Sequence, residues 1–219
     1  MALAIIEQSI HDFHTVESME ETLRKHAEEQ GTPRAAWELQ NYDAETSIAH
    51  VNDPAVEAER LRVLVNYKNI FNYVQSNAEL DELTKAASEI CGTHFAALNI
   101  IDLGRQWTKS IHGLAQDSDV RELSRKVSFC AHTIRRKAEC GVLVVPDTLD
   151  DERFCENSLV WDMGIRFYAG APVRSPEGAV LGALCVFDTQ PHPEGLSASQ
   201  QKQLLDLADC AMAALVMES

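Results

Sequence analysis

Residues 168–187 read YAGAPVRSPEGAVLGALCVF and contain two short apolar runs with a turn between them. The runs, 168–174 and 179–187, are bounded by turn residues and have the length and composition of β-strands. Between them lies Ser175-Pro176-Glu177-Gly178, where Pro favours the start of a turn and Gly its end. This stretch therefore predicts a β-hairpin.

Upstream of this hairpin the sequence predicts three further strands, at residues 95–102, 105–112 and 142–145. The first two are joined across Leu103 and Gly104. The segment from 127 to 161 is mixed, with a short helix after Ser128 and a polar, turn-prone loop over 147–157. Long irregular segments inside a compact domain often serve as binding loops.

Helical spacing of apolar residues frames the predicted sheet. Two stripes precede the sheet, and the second of them ends at Gly92. A third follows the sheet in a C-terminal helix, which Ser197 and Gln200 cap. The three stripes consist of Leu61, Leu64, Tyr67, Phe71 and Val74; Leu80, Leu83, Ala87 and Ile90; and Leu204, Leu207, Ala211 and Leu215. The order of elements predicts an α+β fold: a mainly antiparallel sheet with the terminal helices on one face and the crossover region on the other.

The first 54 residues predict a helical extension and a linker. Apolar residues repeat with helical spacing over 3–13 and 16–27, and Gly31-Thr32-Pro33 stops the second helix. Residues 34–53 are mostly polar and aperiodic, and Asp53-Pro54 favours a new helix start. We therefore expect one domain over residues 55–219, and an extension that this domain does not need in order to fold.

Composition narrows the range of partners. Of 219 residues, 45% are hydrophobic and 24% charged, the balance of an ordinary globular protein. A formal net charge of −15 opposes binding to nucleic acid and to anionic membranes. No apolar stretch approaches the roughly 20 residues of a membrane helix, and the first ten residues lack an export signal. We expect a cytoplasmic protein.

Four sequence blocks carry a family pattern. They are 128–134 (SFCAHTI), 144–154 (VVPDTLDDERF), 165–178 (IRFYAGAPVRSPEG) and 181–188 (LGALCVFD). In this order they resemble the GAF domains of bacterial sensor kinases and related signalling proteins, and the resemblance extends over about residues 59–215. It implies an antiparallel sheet of five or six strands, a small-molecule pocket in some members and frequent dimerisation.

The resemblance implies a non-catalytic sensory or regulatory module that binds a small molecule, dimerises through its terminal helices, or both. Because no output segment follows Leu215, we expect the signal to pass to a separate protein. Alternatives of the same fold are a redox enzyme such as a free methionine sulfoxide reductase and a bilin-binding photoreceptor. The cysteines are not placed as in those reductases, and the chromophore motifs are missing. The sequence identifies no cofactor.

Candidate ligand-binding residues follow from the predicted pocket between sheet and crossover. Cys130 and His132 begin a predicted helix, where backbone N–H groups lower a thiol pKa, but residues two apart on a helix point away from each other. Packing and a redox role both remain open for Cys130. Cys185 lies in an apolar strand. Most of the six cysteines are expected to be reduced and structural, since no C-x-x-C pair occurs.

Polar candidates come from the loop and the strand after it. Asp147, Asp150, Asp151 and Arg153 fall within seven residues, with Phe154 next to them. They could orient a polar ligand, or they could cap turns and form an ion pair; the spacing is not that of a calcium loop. Arg166 and Tyr168 alternate at a strand start, so both side chains face one side, either toward a ligand or for structural reasons.

Overall fold

The structure is a computed structural model that describes residues 54–67, 77–114, 121–135 and 141–217, with no side chains described for 54 and 55. The predicted N-terminal helices and linker lie outside these residues, as do Phe71 and Val74 of the first apolar stripe. The proposed division at residue 54 stays a prediction.

The described residues form five α-helices and six strands. In chain order these are α1 (Pro54–Asn66), α2 (Ala78–Cys91), β1 (Phe95–Ile101), β2 (Arg105–His112), β3 (Glu122–Ser124), α3 (Phe129–Ile134), β4 (Leu143–Val145), α4 (Ser158–Asp162), β5 (Phe167–Arg174), β6 (Val180–Asp188) and α5 (Ala198–Met217). Short 3₁₀ turns at Arg125–Val127 and Thr148–Asp150 lie within the crossover, the connection from β3 to β5 that also contains α3, β4 and α4.

The strands form one sheet in the order β3-β2-β1-β6-β5-β4, and each neighbouring pair is antiparallel. The five strands predicted from sequence are confirmed to within about one residue at each end. Strand β3 was missed in the sequence because its three residues, Glu122, Leu123 and Ser124, are too few to show an alternating pattern. The predicted α+β fold is confirmed.

Side chains from the two faces of the sheet pack into two separate cores. On one face α1, α2 and α5 cover residues such as Leu98, Ala169 and Val186. On the other face α3 and the crossover cover Ala97 and Cys185. The predicted placement of the terminal helices on one face, with the crossover on the opposite face, is therefore confirmed.

Local sequence signals account for the helix ends. The side-chain oxygen of Asn77 accepts hydrogen bonds from the first turn of α2, and Gly92 ends that helix in the left-handed conformation at φ 67°. At α5 the Ser197 hydroxyl accepts from the backbone N–H of Gln200, whose amide oxygen accepts from the Ser197 N–H. The predicted capping pair is confirmed.

A buried ion network fixes α1 to the sheet. Glu57 accepts hydrogen bonds from Arg60 and from Arg125, each at 2.7 Å, and Arg125 also donates to the carbonyl oxygen of Asp102 at 2.9 Å. Burial alone would raise the pKa of Glu57, but the positive charges of Arg125 and Arg60 outweigh it and lower the pKa to about 2. The network holds α1, the β1–β2 turn and the start of the crossover together.

Among the residues that the structure describes, no helix combines the length and apolar character that a bilayer crossing demands.

Candidate functional site

A cavity of about 50 Å³ lies between the sheet and the crossover. The strands β1, β2, β5 and β6 supply its floor, and α3 and α4 with the loop after them supply its other walls. Its lining residues are Ala97, Asn99, Gln106, Thr108, Ile111, Leu114, Leu123, Phe129, Cys130, Leu159, Met163, Ile165, Tyr168, Cys185 and Phe187.

The size of the cavity limits what it can hold. One water needs roughly 10–15 Å³ on this measure, so a volume of about 50 Å³ accommodates about three to five waters. A ligand of a similar number of non-hydrogen atoms fits without rearrangement. A nucleotide or a bilin is far larger and fits only if the cavity opens.

No Asp, Glu, Lys, Arg or His is among the described residues that line the cavity. A charged ligand would therefore leave water without meeting an opposite charge, which costs several kcal/mol in practice. Neutral ligands do not meet this penalty, and the hydrogen-bonding groups on the floor favour those with a polar atom.

Asn99 forms the centre of the polar floor. Its side-chain oxygen accepts a hydrogen bond from the Thr108 hydroxyl at 2.7 Å, and this bond fixes the orientation of the amide. The amide nitrogen then faces the sulfurs of Cys130 at 3.3 Å and of Cys185 at 3.4 Å. One amide nitrogen thus lies within hydrogen-bonding distance of both sulfurs.

Tyr168 completes this floor from β5. Its hydroxyl donates to the Cys130 sulfur at 3.3 Å and lies 2.7 Å from the Thr133 hydroxyl. A glycine at 170 makes room for this arrangement, because a Cβ there would overlap the Tyr168 hydroxyl and approach the Thr133 oxygen to 2.5 Å. Burial, and then the neighbouring Cys130, raise the pKa of Tyr168 well above its ordinary value.

The two thiols differ in acidity. Burial opposes ionisation of Cys130, but hydrogen bonds from Cys185, Tyr168 and Asn99 outweigh it and lower the pKa of the Cys130 thiol. Cys185 donates to Cys130, and this bond together with burial raises the pKa of Cys185 well above its ordinary value. A thiolate in this cluster would therefore reside on Cys130.

The start of α3 fixes the position of Cys130. The Ser128 hydroxyl accepts from the backbone N–H of Ala131 at 3.0 Å and donates to the side-chain oxygen of Gln106 at 2.6 Å. The first bond caps the helix, and the second ties it to β2. Phe129 packs edge-on against both Phe154, at 4.7 Å between ring centroids, and Tyr168, at 5.3 Å.

Three of the eight predicted ligand residues line the cavity, namely Cys130, Tyr168 and Cys185. Phe154 is fully buried but lies behind Phe129, outside the lining. His132 packs edge-on against Phe154 at 4.8 Å and does not line the cavity either.

The charged candidates lie elsewhere on the crossover. Asp147 forms an ion pair with Arg166 at 2.5 Å and caps the second 3₁₀ turn through the N–H of Leu149. Arg153 forms an ion pair with Asp151, also at 2.5 Å. These contacts match the structural alternative considered from sequence, turn capping and Asp–Arg pairing. None of Asp147, Arg153 and Arg166 lines the cavity, and a ligand contact by these residues stays a prediction.

Sequence reasoning missed Asn99, Thr108 and Gln106. A usable signal existed for Asn99, since it is the single polar residue within the apolar strand FAALNII. A buried amide needs partners, and Thr108 on the neighbouring strand is one of them.

The family model of the GAF domain matches residues 77–215. The chain belongs to the GAF domain family. This match confirms the family predicted from the four sequence blocks, and it includes the sheet, the crossover and α5.

One curated relative is a cyclic di-GMP phosphodiesterase of Pseudomonas aeruginosa, 42% identical over 112 residues. The aligned part is 51% of this chain but 18% of that protein. The chain thus spans less than a fifth of the length of this relative.

Solved GAF structures share the fold at low sequence identity. The GAF domain of an Acinetobacter phosphoenolpyruvate-protein phosphotransferase has a TM-score of 0.50 and 18% identity, covering 73% of this chain and 94% of that one. A far-red cyanobacteriochrome photoreceptor has a TM-score of 0.52 and 12% identity, covering 75% of this chain and 99% of that one. These similarities concern the fold alone.

Proposed function

We propose that this GAF domain is a non-catalytic sensory module that binds a small uncharged molecule between its sheet and its crossover. The observation that carries the proposal is the cavity of about 50 Å³, whose described lining has no charged residue and whose floor holds Asn99, Thr108 and Tyr168. An apolar pocket with a few convergent polar groups is the usual form of a small-molecule site.

A binding role is favoured over acid–base turnover by the kind of groups present. The described lining offers two thiols and a tyrosine but no carboxylate or imidazole that could exchange protons with a substrate at neutral pH. The volume also favours a small molecule over a bilin, which would require the cavity to open. Regulation by occupancy then needs only that bound and free states differ in free energy.

The output of the module is proposed to be a signalling enzyme. The name of the 42% identical relative supports cyclic di-GMP turnover as the pathway that receives the signal. Helices α1 and α5 are suited to transmit it, because α1 is fixed to the start of the crossover through Glu57 and Arg125. Changes in the crossover would thus reach a helix on the opposite face.

Dimerisation stays part of the proposal but needs residues other than the predicted stripes. Leu61, Leu64, Leu204 and Leu215 are buried within one protomer. Val56 on α1 and Val216 and Met217 on α5 are exposed and remain available to a second copy. Light scattering at tens of micromolar protein that returns twice the 24.3 kDa of one chain would support this part, and one chain mass would contradict it.

The binding proposal is tested by thermal melting of the full chain in a panel of uncharged alcohols and amides. A ligand for the native state raises the melting temperature in proportion to ln(1 + [L]/Kd). Ala97→Leu fills the cavity and should abolish the rise, whereas Ala213→Leu, the same change on an exposed position of α5, should preserve it.

A second variant guards against poor folding of Ala97→Leu. Thr108→Val keeps the shape of the side chain but removes the hydroxyl that orients Asn99. It should weaken binding while the unliganded protein still melts cooperatively. Equal rises in all variants would place the site elsewhere.

A further inference from the structure

We propose that Cys130 and Cys185 form an oxidisable thiol pair, which hydrogen peroxide converts to an intramolecular disulfide after entering the cavity. This inference rests on the proposed function, because it uses the same cavity, and it names a chemical class of stimulus.

The fold brings together two sulfurs whose residues are distant in the sequence. Cys130 lies on α3 and Cys185 on β6, yet both sulfurs lie within 3.4 Å of one amide nitrogen, that of Asn99. Each residue is 2% exposed, and both line the cavity.

The size and the uncharged lining of the cavity determine which oxidants can reach the two thiols. Hydrogen peroxide is uncharged, has two oxygen atoms and forms hydrogen bonds, so it is suited to a cavity of about 50 Å³ with an uncharged lining. Aromatic disulfides and other bulky thiol reagents are too large. A small oxidant should therefore reach this pair, whereas a bulky thiol reagent should react with the exposed Cys210 instead.

The surroundings assign a role to each thiol. Three groups direct hydrogen atoms at the Cys130 sulfur, which favours its thiolate, the nucleophilic form. Cys185 remains protonated beside it. Cys130 is thus the thiol that attacks peroxide, and Cys185 is the thiol that resolves the product.

The reaction balances in two steps. The Cys130 thiolate attacks one peroxide oxygen, so that an S–O bond forms, the O–O bond breaks and the hydroxide released takes up the proton lost by Cys130, giving water and a sulfenic acid. The Cys185 sulfur then attacks the Cys130 sulfur, so that the S–S bond forms and the S–O bond breaks, and the Cys185 proton leaves with the hydroxyl as a second water. Both sulfurs are oxidised and peroxide is reduced.

The consequence for the domain is local. A bond between the sulfurs removes both thiol hydrogens from the cluster and ties α3 to β6. Tyr168 loses the thiolate acceptor that its hydroxyl faces. Oxidation would therefore change the start of the crossover, the part of the fold that Arg125 links to α1.

The test is mass spectrometry of the full chain after treatment with hydrogen peroxide, followed by alkylation under denaturing conditions and digestion. The chain has six cysteines, so alkylatable thiols should fall from six to four. The intact mass should drop by two hydrogens, and one cross-linked peptide pair should contain Cys130 and Cys185. A thiol reductant should reverse the change.

Variants assign the two steps. Cys130→Ser should prevent both sulfenic acid and disulfide, whereas Cys185→Ser should leave a Cys130 sulfenic acid that dimedone traps. Cys91→Ser is the matched control, since Cys91 is buried on the opposite face and burial raises its pKa to about 11. This variant should behave as the unmodified chain does.

Size selectivity gives an independent readout on unmodified protein. An aromatic disulfide reagent should modify Cys210 and leave Cys130 and Cys185 intact, whereas peroxide should do the reverse. The proposal is overturned if peroxide oxidises Cys155 or Cys210 while Cys130 and Cys185 stay reduced. If a small amide still binds in the cavity in that case, the proposed function stands and only the proposed stimulus is wrong. If neither amide binding nor oxidation of the thiol pair is observed, both proposals are wrong.

Discussion

The hydroxyl of Tyr168 donates to the sulfur of Cys130 across 3.3 Å, joining the start of β5 to the first turn of α3. The same hydroxyl lies 2.7 Å from Thr133 on α3. Tyr168 therefore connects the cavity floor to two residues of α3.

Tyr168→Phe should raise the pKa of Cys130 and slow its reaction with peroxide, because one of three donors to the sulfur is lost. Loss of the hydroxyl should also destabilise the fold by about 1 kcal/mol. Tyr67→Phe is the matched control, since that hydroxyl donates to Glu177 at 3.0 Å, away from the cavity lining. The pH dependence of thiol oxidation in both variants checks this prediction, and identical profiles would contradict it.

Gly170→Ala should disturb the cavity without removing a polar group. The new Cβ would lie 2.5 Å from the Thr133 oxygen and overlap the Tyr168 hydroxyl, so these groups must move. We expect a loss of about 1–3 kcal/mol in the free energy of unfolding, together with slower oxidation of Cys130. Ala169→Gly, on the opposite face of the same strand, tests for a general backbone effect of about 1 kcal/mol. Unchanged oxidation in Gly170→Ala would refute the role given to Tyr168.

Glu57→Gln should cost about 3 kcal/mol at neutral pH, since the shift of the Glu57 pKa from 4.5 to about 2 corresponds to that free energy. A lowered folded-state pKa means that the contribution is complete above the unfolded value of 4.5 and is lost as the pH falls toward 2. Urea unfolding from about pH 3 to pH 7 should therefore show a flatter dependence in the variant.

Glu59→Gln is the control for this experiment, because Glu59 forms an exposed pair with Arg62 at 2.9 Å. Exposed pairs contribute about 0–1 kcal/mol. Equal losses in the two variants would show that the buried network does not stabilise the fold as described.

The sequence predicted the sheet well because apolar runs and turn residues are local signals. The hairpin between β5 and β6 followed from Pro176 and Gly178, and in the structure Gly178 has a φ of 91°, which suits glycine. Strand β3 escaped notice because pairing with β2, rather than its own three residues, defines it.

The candidate site was predicted less completely, for a geometric reason. Alternation placed Arg166 and Tyr168 on one side, but β5 begins at Phe167, and Arg166 instead reaches Asp147, 19 residues earlier. Asn99, Thr108 and Cys185 come together from three strands, and no local pattern encodes that meeting. The register of the sheet supplies this information.

The central claim is that the cavity on Asn99, Thr108 and Tyr168 binds small uncharged molecules. Acetamide and acetate test it directly, since the two have nearly the same shape and differ in charge. We predict that titration with acetamide, followed by amide NMR of the full chain, shifts the signals of these three residues, and that acetate leaves them unchanged. Equal shifts with both probes, or shifts confined to α1, α2 and α5, would contradict the account.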